Sequence, residues 1–307
     1  MASSAHRFPL LEACRPRQWT KNLLVFAAPL FSFRLEPGIW WGAAIAFVAF
    51  CAISSAIYLL NDSLDVEADR AHPTKRHRPI AAGLIPVPRA LATASLLALL
   101  SLLIGYAVHP ALAGVLLVYG LIQVGYCFRF KRMPLLDLFC IASGFLLRAT
   151  AGGVAADLQF SPWFLLTVGL LALFLAIEKR KAELRVCLDR GVLTRKVLER
   201  YSLPLLLRLE SLVSTSTFMS YSLWAAGPTL NGASTSWMLL TVPFVLAGIF
   251  RYQLLSDPEE SIRRSSLKLR GGSSEKPEEI LLSDRGIRLI VGGWVVTASA
   301  IGLLASS

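Results

Sequence analysis

Four oxygen-bearing side chains are spaced at helical intervals directly after a long apolar stretch of the sequence. They are Asn61, Asp62, Asp65 and Asp69, and residues three or four apart project from the same face of an α-helix. Three carboxylates and an amide on one face repel one another unless a cation lies between them. Hard oxygen ligands suit Mg²⁺, which usually shares its coordination shell with phosphate oxygens. The spacing therefore predicts a Mg²⁺ site, and the alternative is a solvated acidic helix end.

Basic residues follow this acidic segment directly. The stretch from His72 to Pro79 contains Lys75, Arg76 and Arg78. Beside a metal site, such a cluster is typical of residues that clamp phosphate oxygens, although ordinary positive charge next to a membrane also fits it. Further candidates for catalysis or phosphate contacts are polar side chains at the ends of apolar stretches or inside them: Arg17, Lys21, Tyr126, Lys131, Arg148, Lys179, Arg180 and Glu183.

The spacing of two pairs of polar residues predicts that the members of each pair project from one helix face. Arg17 and Lys21 are four residues apart and would share one face of an α-helix. Asp137 and Arg148 lie on one stripe of a predicted membrane span, so acid and base project in the same direction. An ionisable residue inside a span usually faces the bundle interior or a cavity. We therefore expect Arg148 to belong to the site, and the alternative is a purely structural Asp–Arg pair between helices.

The composition places these residues in a membrane protein. The chain has 307 residues, of which 55% are hydrophobic and 17% are charged, whereas soluble domains carry about 25% charge. Its mean hydropathy is +0.58. Because about 20 apolar residues cross the hydrocarbon core as a helix, the sequence predicts an all-α integral membrane bundle with nine spans in one domain, 1–307. The spans are 19–35, 39–60, two helices within 90–128 that turn at His109-Pro110, 135–156, 162–177, 203–226, 237–250 and 289–304.

The positive charges are distributed asymmetrically between the predicted loops. Nine spans place on one side the segments that hold all but three of the 31 Lys and Arg residues: 1–21, 61–89, 129–134, 178–202 and 251–288. An excess of positive charge marks the cytoplasmic side. We therefore expect a cytoplasmic N-terminus, cytoplasmic catalytic loops at 61–89, 129–134 and 178–202, and a bacterial-type inner membrane. No signal peptide is expected, because the first 18 residues contain no apolar core.

Two further features of the charge distribution concern the surface of the protein. Residues 254–284 are polar and predict a mobile cytoplasmic loop. The net charge of +11 indicates contact with anionic lipid rather than with nucleic acid.

General catalytic motifs are missing from the sequence. It contains no Gly-Lys dipeptide, hence no P-loop, and no His-Glu-x-x-His motif or serine nucleophile elbow. What remains is a set of acids and bases at one membrane surface, which favours a metal-dependent reaction of a phosphorylated substrate next to lipid. A transporter of a phosphorylated metabolite is a less favoured alternative, since transporters often show internal repeats and charges at the midplane.

The string Asn61-Asp-x-x-Asp65-x-x-x-Asp69 at the predicted end of a helix resembles the UbiA-type prenyltransferase superfamily. Within it, the sequence resembles the decaprenyl-phosphate phosphoribosyltransferases. The resemblance implies a helical bundle around a central cavity open to cytoplasm and lipid. It also implies that 5-phosphoribose moves from phosphoribosyl diphosphate to a polyprenyl phosphate with Mg²⁺. The similar segments are 15–22 (RPRQWTKN), 58–83, 147–154, 179–184 and 277–285.

One segment departs from most of the superfamily, which has a second aspartate-rich motif after the sixth span. This chain has the basic string KRKAE at residues 179–183 instead. Two acidic motifs suit a prenyl diphosphate that is held by two metal ions. One acidic and one basic motif suit a metal-bound diphosphate together with a bare phosphate. Transfer of a prenyl group to an aromatic acceptor is the alternative function, and the oligomeric state is left open.

The expected roles follow from this division of charge. Asn61, Asp62, Asp65 and Asp69 would hold Mg²⁺ on the donor diphosphate. Lys75, Arg76 and Arg78 would contact the donor phosphates, whereas Lys179 and Arg180 would contact the acceptor phosphate. The residues that fit either substrate are Arg17, Lys21, Lys131 and Arg148.

Overall fold

The fold is helical throughout the part of the chain that the computed structural model describes, namely residues 8–32, 34, 36–190, 196–257, 259–260, 263 and 284–306. Most of the predicted mobile loop 254–284 lies outside these residues. The α-helices are α1 (Pro9–Ala13), α2 (Ala27–Ser32), α3 (Pro37–Leu64), α4 (Val66–Ala71), α5 (Val87–Val108), α6 (Pro110–Phe128), α7 (Leu136–Ala155), α8 (Pro162–Arg190), α9 (Leu203–Ala225), α10 (Val242–Leu255) and α11 (Arg285–Ser306). Short 3₁₀ helices cover Pro16–Phe26, Lys75–His77, Phe130–Arg132, Lys196–Arg200, Pro228–Leu230 and Ser236–Thr241.

Seven helical segments within the described residues are long and apolar enough to cross a membrane, which makes the chain a multi-pass membrane protein. The turn expected inside residues 90–128 is present. The backbone of His109 is extended between α5 and α6, and its ring accepts a hydrogen bond from the amide of Ala111 at 3.1 Å. The seven segments are Pro37–Leu64, Val87–Val108, Pro110–Phe128, Leu136–Ala155, Pro162–Leu188, Ser236–Leu255 and Arg285–Leu304.

Two of the nine expected spans are not among these seven segments of the described chain. Residues 203–226 do form a single helix, α9, but Arg208, Glu210 and several Ser and Thr residues lower its hydropathy. Residues 19–35 begin as the 3₁₀ helix Pro16–Phe26 and continue as the short α2. This first segment therefore differs from the predicted spanning α-helix in both winding and length.

The 3₁₀ winding decides which residues of this first segment face α3. With three residues per turn, Trp19, Asn22 and Val25 share a face. The first two donate hydrogen bonds to serine hydroxyls of α3 at 3.1 and 3.2 Å, and Val25 is fully buried. Arg17 and Lys21 were expected to share an α-helical face, and they do not share one in a 3₁₀ helix.

The chain forms two compact units, of which the first comprises Met1–Lys131 and Gly144–Gln159. Helix α3 lies at the centre of this unit and packs against the 3₁₀ helix Pro16–Phe26, α5 and α6. The small residues Ala43, Ala46 and Ala49 of α3 are completely buried, and small side chains allow close helix contacts in membranes. The second unit comprises Arg132–Ser143 and Phe160–Ser307, and in it α8 packs along α9.

Helix α8 is longer than the span expected at residues 162–177. It continues to Arg190, so residues 178–190 of the predicted loop 178–202 are helical. Part of the remainder, Lys196–Arg200, forms a 3₁₀ helix, and residues 191–195 lie outside the described residues. The basic string at residues 179–183 therefore lies within α8 and not in a loop.

Gly152 of α7 provides a test of the packing around the 3₁₀ helix. A β-carbon at this position would overlap the carbonyl oxygen of Val25. We therefore expect Gly152→Ala to cost about 1–3 kcal/mol of stability, because overpacking forces the backbone to move. Thermal unfolding in detergent should show a melting temperature lower by several degrees.

The matched control is Gly114→Ala in α6. This glycine is exposed, and no atom lies within 4 Å of an added β-carbon. Alanine is the better helix former, so the melting temperature should stay the same or rise. Equal melting temperatures for the two variants would contradict the close contact at Gly152.

Candidate functional site

The acidic motif spans the junction between α3 and α4. Helix α3 ends at Leu64, and Asp65 separates it from α4. Helical hydrogen bonds nevertheless continue across the junction: the Asp65 amide donates to the Asn61 carbonyl at 3.0 Å, and the Asp69 amide donates to the Asp65 carbonyl at 2.8 Å. The acidic side chains therefore keep the proximity that their spacing predicted.

Arg78 bridges two of the three carboxylates. Its Nη1 donates to Asp62 Oδ1 at 3.1 Å and to Asp69 Oδ2 at 2.6 Å. Both aspartates are only 3% exposed, so the guanidinium supplies the positive charge that these buried acids require. Lys75 is exposed, with its Nζ 3.9 Å from Asp69 Oδ1. The predicted acidic and basic motifs thus meet at this point.

Two cations from other segments complete the neutralisation of the carboxylates. Arg15 Nη2 donates to both carboxylate oxygens of Asp62, at 2.6 and 2.8 Å. Lys131 Nζ donates to both oxygens of Asp65 at 2.8 Å. Arg15, Arg78 and Lys131 together therefore donate hydrogen bonds to all three carboxylates. We call Asp62, Asp65, Asp69, Arg15, Arg78 and Lys131 the acid–base cluster.

The donor atoms around the acid–base cluster fit Mg²⁺ by their chemistry. They are hard carboxylate oxygens, and the amide of Asn61 is adjacent and half-buried. Within the described residues, no three side chains among His, Cys, Asp and Glu converge as a closed ligand set. Mg²⁺ commonly uses one or two carboxylates and completes its shell with water and substrate phosphates. The residues therefore fit a metal ion that is shared with a phosphate group.

Arg148 lies in the interior of the first unit and is only 6% exposed. Its Nε donates to Asn22 Oδ1 at 2.7 Å, its Nη1 to the Gly144 carbonyl at 2.6 Å and its Nη2 to the Tyr119 hydroxyl at 3.0 Å. The rings of Phe50, Tyr119 and Phe145 lie within 6 Å of the guanidinium. No carboxylate among the described residues pairs with it. A buried cation without an acid is costly, which supports the expectation that Arg148 meets an anion.

Four other expected site residues lie apart from these contacts or at their edge. Arg17 and Arg76 are exposed, whereas Lys21 and Tyr126 are half-buried. In the described part of the chain, Arg17, Arg76 and Tyr126 form no ion pair or hydrogen bond with the acid–base cluster. Arg15 of the RPRQWTKN segment, which was not assigned a role from the sequence, is the residue of this segment that contacts Asp62.

The basic string at residues 179–183 is largely used in internal ion pairs. Arg180 is fully buried, and it donates from Nε to Asp137 Oδ2 at 2.7 Å and from Nη1 to Glu183 Oε2 at 2.5 Å. Lys181 donates to Glu178 at 2.5 Å and also to Glu210. Arg180 and Glu183 were expected to contact substrate; in the structure they pair with each other within α8, and Arg180 also joins α8 to Asp137 of α7. Lys179 is half-buried.

Tyr201 extends this buried network and was missed in the sequence. Its hydroxyl donates to Asp137 Oδ1 at 2.7 Å and accepts a hydrogen bond from the Leu135 amide at 2.7 Å. Burial raises the pKa of Tyr201, and the hydrogen bond to Asp137 raises it further. The phenol therefore stays protonated at neutral pH and remains a donor. No local motif links Tyr201 to Asp137, because 64 residues separate them.

Comparison with known proteins gives relatives that match nearly the whole chain. A decaprenyl-phosphate phosphoribosyltransferase from Mycolicibacterium smegmatis is 43% identical over 306 residues, which cover 95% of this chain and 91% of the relative. A protein of the same name from Corynebacterium glutamicum is 42% identical over 297 residues, covering 93% and 84%.

A solved structure shares the fold. A UbiA homologue from Archaeoglobus fulgidus, bound to GPP and Mg²⁺, superposes with a TM-score of 0.67 at 19% identity and covers 97% of this chain and 99% of its own. The model of the UbiA prenyltransferase family matches residues 23–270. This chain belongs to the UbiA prenyltransferase family.

Proposed function

We propose that this chain is a Mg²⁺-dependent membrane transferase that moves 5-phosphoribose from phosphoribosyl diphosphate to a polyprenyl phosphate and releases diphosphate. The observation that carries the proposal is the similarity, nearly from end to end, to relatives named decaprenyl-phosphate phosphoribosyltransferase. The acid–base cluster supports it, because carboxylates for a metal and cations for phosphate lie together. The alternative transfer of a prenyl group to an aromatic acceptor finds no support in the names of these relatives.

The donor diphosphate would bind at the acid–base cluster. Asn61, Asp62, Asp65 and Asp69 would hold Mg²⁺, which supplies positive charge to a leaving diphosphate. Arg78 and Lys75 would donate hydrogen bonds to donor phosphate oxygens, since charge-assisted contacts of this type orient phosphates. Lys131 forms an ion pair with Asp65, and its ammonium group would also contact the donor phosphates. These cations stabilise the charge that develops as the bond between C1 of the ribose and the diphosphate oxygen breaks.

The acceptor needs no strong general base. A polyprenyl phosphate is already anionic at neutral pH, so one of its oxygens can attack C1 directly from the face opposite the leaving diphosphate. The new bond joins this oxygen to C1, and the diphosphate leaves with the electron pair. The rate then depends mainly on the orientation of the two phosphates. Arg148 would serve this purpose, since only three of its five N–H groups donate to described residues. Lys179 is the remaining candidate from the basic string.

The site would face the cytoplasm from a bacterial inner membrane. We propose nine membrane-crossing segments, with α9 and the segment from the 3₁₀ helix through α2 added to the seven apolar ones, around a cavity open to cytoplasm and lipid. The positive charge of the loops supports a cytoplasmic N-terminus. This orientation would give the acid–base cluster access to a water-soluble phosphorylated donor, and the lipid acceptor would enter from the bilayer.

A transfer assay tests the function directly. Purified protein in detergent or vesicles is incubated with Mg²⁺, polyprenyl phosphate and phosphoribosyl diphosphate labelled in the ribose. We expect label to enter the lipid phase and to stay in water when polyprenyl phosphate is omitted or EDTA is added. A parallel reaction contains a labelled prenyl diphosphate and an aromatic acid. Transfer only in the second reaction would establish the alternative function.

Asp65→Asn tests the metal assignment. The substitution keeps the side-chain shape but removes the charge that pairs with Lys131 and that would bind Mg²⁺. We expect a loss of activity of about 100-fold or more, with unchanged expression and melting temperature, since Asp65 is partly exposed. Initial rates over a series of Mg²⁺ concentrations measure the effect.

Glu67→Gln is the matched control for Asp65→Asn. Glu67 lies on α4 beside the acidic motif, and it forms an exposed ion pair with Arg70, which contributes little to stability. Its activity should stay within about twofold of the wild type. Near-normal turnover of Asp65→Asn at saturating Mg²⁺ would refute the ligand role of Asp65.

Cysteine labelling tests the orientation. The native cysteines are all buried, so a maleimide that does not cross membranes should react mainly with introduced cysteines. In intact cells we expect Asn231→Cys to be labelled from outside and Lys75→Cys to be protected until the membrane is opened. Both positions are exposed in the structure. Labelling of position 75 from outside would reverse the proposed orientation.

A further inference from the structure

Arg15 holds a backbone conformation that residues with a side chain rarely adopt. Its φ and ψ are 54° and 62°, in the left-handed region, where a β-carbon meets the following carbonyl oxygen. The residue lies at the junction between α1 and the 3₁₀ helix, with its amide bonded to the Glu12 carbonyl and its carbonyl bonded to the Gln18 amide. Such strain persists only where surrounding contacts impose it, and it is common at functional sites.

The contacts that impose this conformation come from one face of α3. Ser55 Oγ accepts a hydrogen bond from Trp19 Nε1 at 3.1 Å, and it shares its single proton between the Cys51 carbonyl of its own helix at 2.7 Å and the Cys14 carbonyl at 3.2 Å. The residues on both sides of Arg15 are thus attached to α3 at one point. Tyr58 and Asp62 lie three and seven residues beyond Ser55 and share its helical face. The side chain of Arg15 extends along this face toward the acidic motif.

At the acidic motif the guanidinium is fixed by two kinds of contact. Its Nη2 lies 2.6 and 2.8 Å from the two oxygens of Asp62. The centre of the guanidinium lies 5.0 Å from the ring centre of Tyr58, within cation–π range. The Arg15 side chain is 27% exposed, and that of Asp62 is 4% exposed. Arg15 therefore limits the rotation of the buried Asp62 carboxylate, which Arg78 contacts at one oxygen only.

We propose that Arg15 is a positioning residue that acts through Asp62, and this inference rests on the proposed function. Arg15 fixes the plane and rotamer of the Asp62 carboxylate, so that its free lone pairs point to the Mg²⁺–diphosphate group without reorganisation. Arg78 differs, because it bridges Asp62 and Asp69 and is assigned to phosphate. A lysine at this position would keep a positive charge for Asp62 but would lack the planar group that lies over the Tyr58 ring and limits the movement of the arginine.

The test compares Arg15→Gly with Arg15→Lys. Glycine adopts positive φ without strain, so Arg15→Gly removes the guanidinium while the backbone keeps its conformation. We expect the melting temperature to fall only by a few degrees, because Arg78 still pairs with Asp62 and the relief of backbone strain offsets part of the lost ion pair. The Mg²⁺ concentration for half-maximal activity should rise about 10-fold or more, with the KM for polyprenyl phosphate unchanged. Arg15→Lys should recover only part of this loss.

A second readout does not depend on turnover. Mg²⁺ together with phosphoribosyl diphosphate should raise the melting temperature of the wild type, and Arg15→Gly should need a correspondingly higher Mg²⁺ concentration for the same rise. Arg34→Ala is the matched control, because Arg34 pairs with Glu36 at an exposed position. It should behave as the wild type in both measurements.

A double-mutant cycle separates action through Asp62 from direct phosphate contact. If Arg15 acts through Asp62, adding Arg15→Gly to Asp62→Asn should cost less than about twofold further activity. A full additional loss, or a higher KM for phosphoribosyl diphosphate with an unchanged Mg²⁺ requirement, would make Arg15 a direct ligand and overturn the proposal. So would a normal Mg²⁺ requirement in Arg15→Gly. Failure of the proposed function is a separate outcome, in which the wild type itself transfers no label.

Discussion

The charge balance at the end of α3 is the constraint on which the rest of the first unit depends. Asp62 and Asp69 are almost fully buried next to a helix C-terminus, where the helix dipole opposes negative charge. Such carboxylates are tolerated only when cations are fixed beside them. The three cations come from three separate parts of the chain, namely the start of the 3₁₀ helix, the loop after α4 and the turn after α6. Those segments must therefore converge on one point of α3.

The packing of α3 explains how the segments can converge. Its buried alanines and Gly42 give a smooth surface against which neighbouring backbone packs closely. The 3₁₀ helix is held there by hydrogen bonds from Trp19 and Asn22 to serine hydroxyls of α3. Because Asn22 also accepts a hydrogen bond from Arg148, the same helix connects the interior arginine to the frame that carries Asp62. Packing and electrostatics thus fix the same geometry.

The acidic part of the site could be predicted from spacing alone, whereas the identity of its cations could not. Helical periodicity placed Asp62, Asp65 and Asp69 together, and hydrogen bonds across the α3–α4 junction preserve that arrangement. Arg78 and Lys131 were also identified, since each lies close to the predicted end of a span. The expectation for the first segment assumed 3.6 residues per turn. A 3₁₀ helix has three, so the shared face expected for Arg17 and Lys21 does not form, and the contact of Arg15 with Asp62, 47 residues away, is not contained in any local pattern.

The fold shows a similar division between what local patterns determine and what long-range contacts determine. Apolar length predicted the seven hydrophobic spans, including the turn at His109. It failed at the end of α8, where charged residues suggested a loop. Residues 178–190 stay helical because the basic string there is neutralised by acids from α7, α8 and α9. Partners such as Asp137 and Glu210 are distant in sequence, so no local pattern contains this information.

Two buried arginines, Arg148 and Arg180, differ in whether carboxylates of the protein neutralise their charge. Arg180 contacts two carboxylates, Asp137 and Glu183, so its charge is satisfied within the protein. Arg148 contacts an amide, a carbonyl, a hydroxyl and aromatic rings, which orient a guanidinium but do not neutralise it. Sequence hydropathy treats both as charges in or beside apolar helices. Only the partners distinguish them, and among the described residues Arg148 is a buried cation without a carboxylate partner, which is why we propose that it contacts a substrate phosphate.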